Sequence, residues 1–400
     1  MMPARTNIVE LLSNVAESML SLSFNIGGLV AGGILATYLD VFSIRPWAIV
    51  LFPAILSVRG AIGGLFSGRL STSLHLGTVK ASYTDNTKSF RLLLVSIVTL
   101  AFESSIIIGS AAFVVSSFLW GTPLQDSLEI LAVISGTMGM SVLFVSPITM
   151  AASFTSFKHG LDPDITVYPI TSTFADVIIT FCYMTVLRTF FGTESGPSIV
   201  YLIDLLFILM VLISLARNLK EEDFLKTLKE FQLTLLFVAV VVNITGSMLS
   251  AMRSSIGERI EVYAVYPALI TTMGSFGSIV GSTATTKLFT GLINPFFSSM
   301  KDHLTQILSA WTASAIMFTI YMGIASVGYN VDSGGFSSFL AELLTTNILA
   351  ASVIACIAYA IAILTFRHAL DPDNFVIPIE SSIADAVTTI FLFVALKLFS

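Results

Sequence analysis

Eleven stretches of this chain run for about 20 residues or more with little interruption by charge, at 11–39, 46–76, 89–119, 128–157, 165–191, 198–217, 226–253, 262–290, 303–328, 337–365 and 374–399. About 20 apolar residues in a helix cross the hydrocarbon of a bilayer, and a helix is one of the few structures that satisfies its own backbone there. The pattern therefore predicts an all-α integral membrane protein of about 11 transmembrane helices. Composition agrees, at 55% apolar and 11% charged residues, where soluble chains average about 25% charged. The first stretch is too long for a signal-peptide core and has no small-residue cleavage site, so it is read as a spanning helix. No basic patch suited to nucleic acid is present, and the lipid bilayer is the expected surrounding.

The stretches repeat. Asp162-Pro163-Asp164, Tyr168-Pro169-Ile170 and Phe174-Ala175-Asp176 recur as Asp371-Pro372-Asp373, Ile377-Pro378-Ile379 and Ile383-Ala384-Asp385, all at an offset of 209. Pro53-Ala54, Gly60, Gly63, Thr72, Leu74 and Gly77 recur as Pro267-Ala268, Gly274, Gly277, Thr286, Leu288 and Gly291, at an offset of 214. The chain divides into a first five-helix repeat over 1–192, a linking transmembrane helix over 193–222 and a second five-helix repeat over 223–400, a 5+1+5 arrangement. Five spans leave the chain on the opposite side of the membrane and a sixth returns it, so the repeats run parallel. Their pseudo-two-fold axis is expected along the membrane normal.

With the N-terminus inside, 12 of the 19 Lys and Arg residues fall at inner loops and helix ends, and five at outer ones. The positive-inside rule then places the N-terminus in the cytoplasm and the C-terminus outside, in a multi-pass protein of the cell membrane. Cys182 and Cys356 read as small core residues. His75, His159, His303 and His368 fall at inner helix ends without ligand spacing and read as surface or interfacial. Arg59 and Arg69 lie inside the second span, where snorkelling, lining of a wet vestibule or pairing with Glu103 are the available readings.

A carboxylate deep in a membrane costs roughly 2.5 to 3.5 kcal/mol on insertion scales and usually faces a partner or a wet path. Asp176 and Asp385 are such carboxylates. Ser172, Thr173, Asp176 and Thr180 follow Pro169 at helical spacing on one face, as Ser381, Ser382, Asp385 and Thr389 follow Pro378. Twelve residues separate Asp164 from Asp176, a rise of about 18 Å that reaches the bilayer midplane. One reading is a hydroxyl-lined passage around paired aspartates; the other is Ser and Thr joining helices while Asp bonds buried backbone. Two carboxylates offering oxygen ligands suit a hard divalent cation, Mg²⁺ before others, held through its hydration shell. Without a cation the pair repels and one carboxylate takes up a proton, which leaves proton coupling open. Glu380, where the first repeat has Thr171, is a candidate secondary ion contact. Asp162, Asp164, Asp371 and Asp373 read as helix caps and as an acidic inner mouth that concentrates cations.

Pro53-Ala54-Ile55-Leu56-Ser57-Val58-Arg59-Gly60, Ser67 to Thr72, Gly77, Asp371 to Asn374, Pro378 and Asp385 together resemble the membrane domain of the MgtE family of magnesium transporters, closest to its two-repeat branch, which includes the eukaryotic solute-carrier magnesium transporters. The resemblance implies a cation path on the pseudo-two-fold axis, lined by the second and fifth helices of each repeat, with Asp176 and Asp385 central and Gly60, Gly63, Gly274 and Gly277 in its wall. It also implies that one duplicated chain, as a monomer, supplies a complete pore. The family's Gly-Asn pair stands here as Gly60-Ala61 and Gly274-Ser275. No regulatory domain is expected before the first span.

The function expected is membrane transport of divalent cations, Mg²⁺ first and Mn²⁺ or Co²⁺ as companions, without enzymatic activity or an organic cofactor. The alternative is a secondary transporter coupling Na⁺ or H⁺ to an organic or anionic solute. An intramembrane aspartyl protease is a remote third reading, because the residues before the aspartates, Thr173-Phe174-Ala175 and Ser382-Ile383-Ala384, lack that class's Gly-x-Gly-Asp pattern.

Overall fold

A computed structural model describes residues 4–39, 42, 45–159, 163–256, 259–368 and 372–399. The described helices are α1 (Ala4–Ser23), α2 (Gly27–Thr37), α3 (Pro46–His75), α4 (Lys88–Trp120), α5 (Asp126–Lys158), α6 (Pro163–Gly192), α7 (Gly196–Asn218), α8 (Glu222–Ile256), α9 (Ile260–Phe289), α10 (Leu304–Gly328), α11 (Ser333–His368) and α12 (Pro372–Phe399), with 3₁₀ turns at Phe24–Ile26 and Phe297–His303 and no strand among the described residues. Among the described residues, eleven segments are long and apolar enough to cross a membrane, and each coincides with one of the eleven stretches in the sequence. The protein is an all-α integral membrane protein.

Local chemistry sets the helix ends. Pro46 opens α3 at a position where a missing N–H costs nothing, and the Thr87 side chain accepts a hydrogen bond from the Phe90 N–H at the start of α4. Gly77 after α3 and Gly291 after α9 have φ of 69° and 71°. That left-handed stop strongly favours glycine, which accounts for the recurrence of this residue at one offset.

The first span, Leu11–Thr37, is one helical stretch as expected, tightened to a 3₁₀ turn at Phe24–Ile26, where the buried Asn25 side chain donates to Ser275 Oγ at 3.1 Å and Gly27 and Gly28, poor helix formers, follow. Three expectations are corrected. His303 is fully buried, with Nε2 3.1 Å from Thr283 Oγ1. Cys356 is exposed on α11, whereas Cys182 is buried. Glu103 accepts from Gln232 at 2.6 Å, and Arg69 donates to Thr227 Oγ1, so no arginine pairing at Glu103 is observed.

The helices group into two compact units, one formed by residues 37–250 and the other by 1–36 with 251–400. Within the second, α9, α11 and α12 pack on one another, α10 packs on α9 and α11, and α1 packs on α10. Within the first, α3, α5 and α6 pack mutually and α4 packs on α3 and α5, with α7 against α4, α5 and α6. The first helix of each sequence repeat thus packs with helices of the other repeat. The contact recurs: a Cβ at Gly32 would overlap the Ala264 carbonyl, and one at Gly246 would overlap the Val50 carbonyl. Gly32 and Gly246, like Val50 and Ala264, are 214 residues apart. Small residues permit this backbone approach, the main route to tight packing where lipid offers no hydrophobic gain between helices.

A charged clamp is repeated as well. Arg259 Nη1 and Nη2 donate to Glu342 Oε1 and Oε2 at 2.8 and 3.0 Å, and Arg259 Nε lies 2.7 Å from Glu261. In the other unit Arg45, 214 residues earlier, lies 3.5 Å from Asp126 and 3.3 Å from Glu129. Each arginine also stands over an aromatic ring, Phe339 or Phe191, at 5.7 Å. The Arg45–Glu129 and Arg259–Glu342 partners lie more than 80 residues apart, so no local pattern announces them.

Two outcomes follow for thermal unfolding of the purified protein. Gly32→Val and Gly246→Val lower stability by about 1 to 3 kcal/mol through overpacking, whereas Gly33→Ala, whose new Cβ meets only Tyr329 Oη at 3.9 Å, is near neutral. Glu342 is fully buried and Arg259 is 30% exposed, so Glu342→Gln costs about 3 kcal/mol, the low end for breaking a buried pair. Glu129→Gln, in the looser clamp, costs about 1 kcal/mol or less.

Candidate functional site

The two aspartates sit on α6 and α12, in equivalent local settings in separate units. Thr180 Oγ1 donates to the Asp176 carbonyl at 2.7 Å, and Thr389 Oγ1 donates to the Asp385 carbonyl at 2.7 Å. These bonds satisfy each hydroxyl hydrogen inside the helix and fix the oxygen one turn beyond the carboxylate. The settings differ in closure. Asp385 is 5% exposed, and Ser382 and Thr389 beside it are buried. Asp176 is half-buried together with Ser172 and Thr173, while Thr180 is buried.

On the α12 side, Tyr266 of α9 places its hydroxyl 3.0 Å from Thr389 Oγ1, and Ser381 Oγ lies 3.5 Å from where a Cβ at Gly274 would be. The second-helix glycines thus adjoin the fifth helix in this unit. In the 37–250 unit Gly60 faces open space, and the side of α3 bearing Gly63 is covered by the Arg59 guanidinium. Arg59 is buried, not snorkelled. With Ile97, Ala101, Met138, Val142, Ser146 and Thr149 among its companions, it lines a cavity of about 10 Å³, at the lower limit for one water molecule.

Glu380 is 2% exposed and lies against α9, where its Oε1 would collide with a Cβ at Gly277 and its Oε2 would lie 3.0 Å from one at Gly281. Thr171, at the matching place, is also buried. The matching glycines are thus covered differently in the two repeats, by a guanidinium over Gly63 and by a carboxyl group over Gly277. Asp162 and Asp371 lie outside the described residues, and for Asp164 and Asp373 only the helical backbone is described.

Besides Glu342, another acid inside an apolar stretch escaped the sequence reading. Asp204 on α7 is buried, and its Oδ1 has no hydrogen-bond partner. The signal was available as a carboxylate inside an apolar stretch, the criterion that singled out Asp176 and Asp385. Among the described residues no three His, Cys, Asp or Glu side chains gather as a metal cage. The groups on offer near Asp176 and Asp385 are single carboxylates with neighbouring hydroxyls.

No curated protein and no solved structure matches the chain. A family model described as "MgtE: Divalent cation transporter" matches residues 52–186 and 266–395. The two matches begin 214 residues apart, the offset of the second-helix landmarks, and cover more than half of the 400 residues. The chain belongs to the MgtE family of divalent cation transporters.

Proposed function

We propose that the protein moves Mg²⁺ across the membrane, with Asp176 and Asp385 as the carboxylates that the ion meets on its way. The observation that carries this reading is the repeated setting of those residues: one intramembrane aspartate on the fifth helix of each repeat, each with a threonine hydroxyl bonded to its own carbonyl, in a chain of a divalent cation transporter family. The sequence duplication, which gives each repeat one such group, supports their acting as a pair about a pseudo-two-fold axis along the membrane normal. It also supports one chain forming a complete path. In this reading the 1–192, 193–222 and 223–400 segments are the units of duplication, and first helices are exchanged between the repeats.

Mg²⁺ sheds water reluctantly and is commonly held by one or two carboxylates with its waters retained. Two aspartates with hydroxyl neighbours meet that requirement through a hydration shell, and Mn²⁺ and Co²⁺ are expected to compete. The acidic residues Asp162, Asp164, Asp371 and Asp373 would raise the local cation concentration at the inner mouth. The distribution of basic residues among the loops supports a cytoplasmic N-terminus.

Purified protein in liposomes is expected to carry Mg²⁺, read with an entrapped indicator. Asp176→Asn and Asp385→Asn keep side-chain size and remove one charge each, so each lowers flux about tenfold or more, because the lost attraction to a divalent ion exceeds about 1.4 kcal/mol. Wild-type liposomes without Mg²⁺ movement, or both variants at wild-type rate with an unchanged melting temperature, contradict the reading.

A further inference from the structure

Glu380 is a buried acid to which the described residues around it offer no counter-charge. Its Oε1 has no hydrogen-bond partner. The helices packed on α12 are α9 and α11, and they meet the carboxyl group with Gly277 and Gly281, Ile354 lining the same contact. Around these contacts, residues 270–285 of α9 and 348–358 of α11 contain no Asp, Glu, Lys, Arg or His. The titratable neighbours further off are His303, held against α9 by Thr283, Cys356, which is exposed, Tyr359, Lys287, whose Nζ donates to Gln306 at 2.7 Å, and Asp385 on Glu380's own helix. The two glycines allow the carboxyl group to lie against the α9 backbone, and the first repeat has the uncharged Thr171 in its place.

An unpaired charge in such a position is far costlier than a neutral acid. Five residues along α12, a rise of about 7.5 Å, stands Asp385. Five residues also turn the helix by about 140°, so the separation exceeds the axial rise; across a medium of low dielectric a divalent ion held there still favours the ionised form of the carboxyl group.

We propose that Glu380 is the site of a coupling proton: the group is the neutral acid in this conformation, and a divalent cation arriving at Asp385 releases its proton, so that cation movement is accompanied by proton counter-movement. The step is a simple dissociation, carboxylic acid to carboxylate and H⁺, with the incoming ion compensating the new negative charge. The inference rests on the proposed cation path and adds a second substrate, H⁺, to it.

The test uses liposomes holding the full chain, with indicators for Mg²⁺ and pH inside and the membrane potential held at zero by K⁺ and valinomycin. Mg²⁺ entry is expected to raise the internal pH in proportion to the Mg²⁺ moved, and Glu380→Gln and Glu380→Thr, the latter copying the first repeat, are expected to abolish the pH change. Mg²⁺ entry without a pH change in wild-type protein overturns this inference and leaves the transport reading standing; absence of Mg²⁺ entry overturns both. A pH change persisting in a variant that still carries Mg²⁺ also overturns it. A variant-free readout is labelling of wild-type protein by dicyclohexylcarbodiimide, which reacts with protonated acids in apolar sites. Mass spectrometry is expected to find Glu380 modified and Mg²⁺ to suppress the modification at least several-fold, and no modification there, or none that Mg²⁺ alters, contradicts the proposal.

Discussion

Inside a bilayer every polar group that leaves water must find its partner within the protein, and much of this structure follows from that requirement. Serines and threonines along the spans donate to carbonyls one turn back, as Ser96 does to Leu92, Thr137 to Val133 and Ser153 to Thr149. Arg45 and Arg259, at the starts of α3 and α9, are held by carboxylates of α5 and α11. Helix contact then depends on shape, so glycines recur where backbones meet, at Gly28 and Gly32 against α9 and at Gly246 against α3. Asp204 and Glu380 are buried acids inside the spans, each with a carboxyl oxygen that lacks a hydrogen-bond partner.

Duplication explains why most devices come in pairs, and the departures from it are informative. The glycine stops, the Arg–Glu clamps, the close first-helix contacts and the threonine-bonded aspartates all recur. Asn25 and its 3₁₀ turn do not: the corresponding stretch of α8 is α-helical throughout. Nor does the charge beside the second-helix glycines recur, since Arg59 covers Gly63 and Glu380 lies over Gly277. One repeat has thus gained a buried cation and the other a buried acid, so the two halves are not equivalent around their aspartates.

The number and position of the spans were legible because an apolar stretch long enough to cross hydrocarbon has few other ways to fold. The aspartates drew notice as candidates for the complementary reason, that a charge in such a stretch is costly. What the sequence concealed depends on distance along the chain. The Arg259–Glu342 clamp joins residues 83 apart, and the grouping of α1 and α2 with residues 251–400 has no local signature. His303 looked like a helix-end residue, yet a hydroxyl at Thr283 on the neighbouring helix draws it fully into the interior. Glu380 was visible as a break in the symmetry, but the glycine face that receives it became apparent only once α9 and α12 were in place.

The central claim is that Asp176 and Asp385 together meet the transported ion. Crystals of the full chain grown with Mn²⁺ in place of Mg²⁺, with the ion located by its anomalous scattering, test it most directly. The account predicts an Mn²⁺ site within the membrane-spanning region whose ligands or ligand waters touch both carboxylates. Mn²⁺ bound elsewhere, with neither aspartate in contact with it or its waters, would contradict the account.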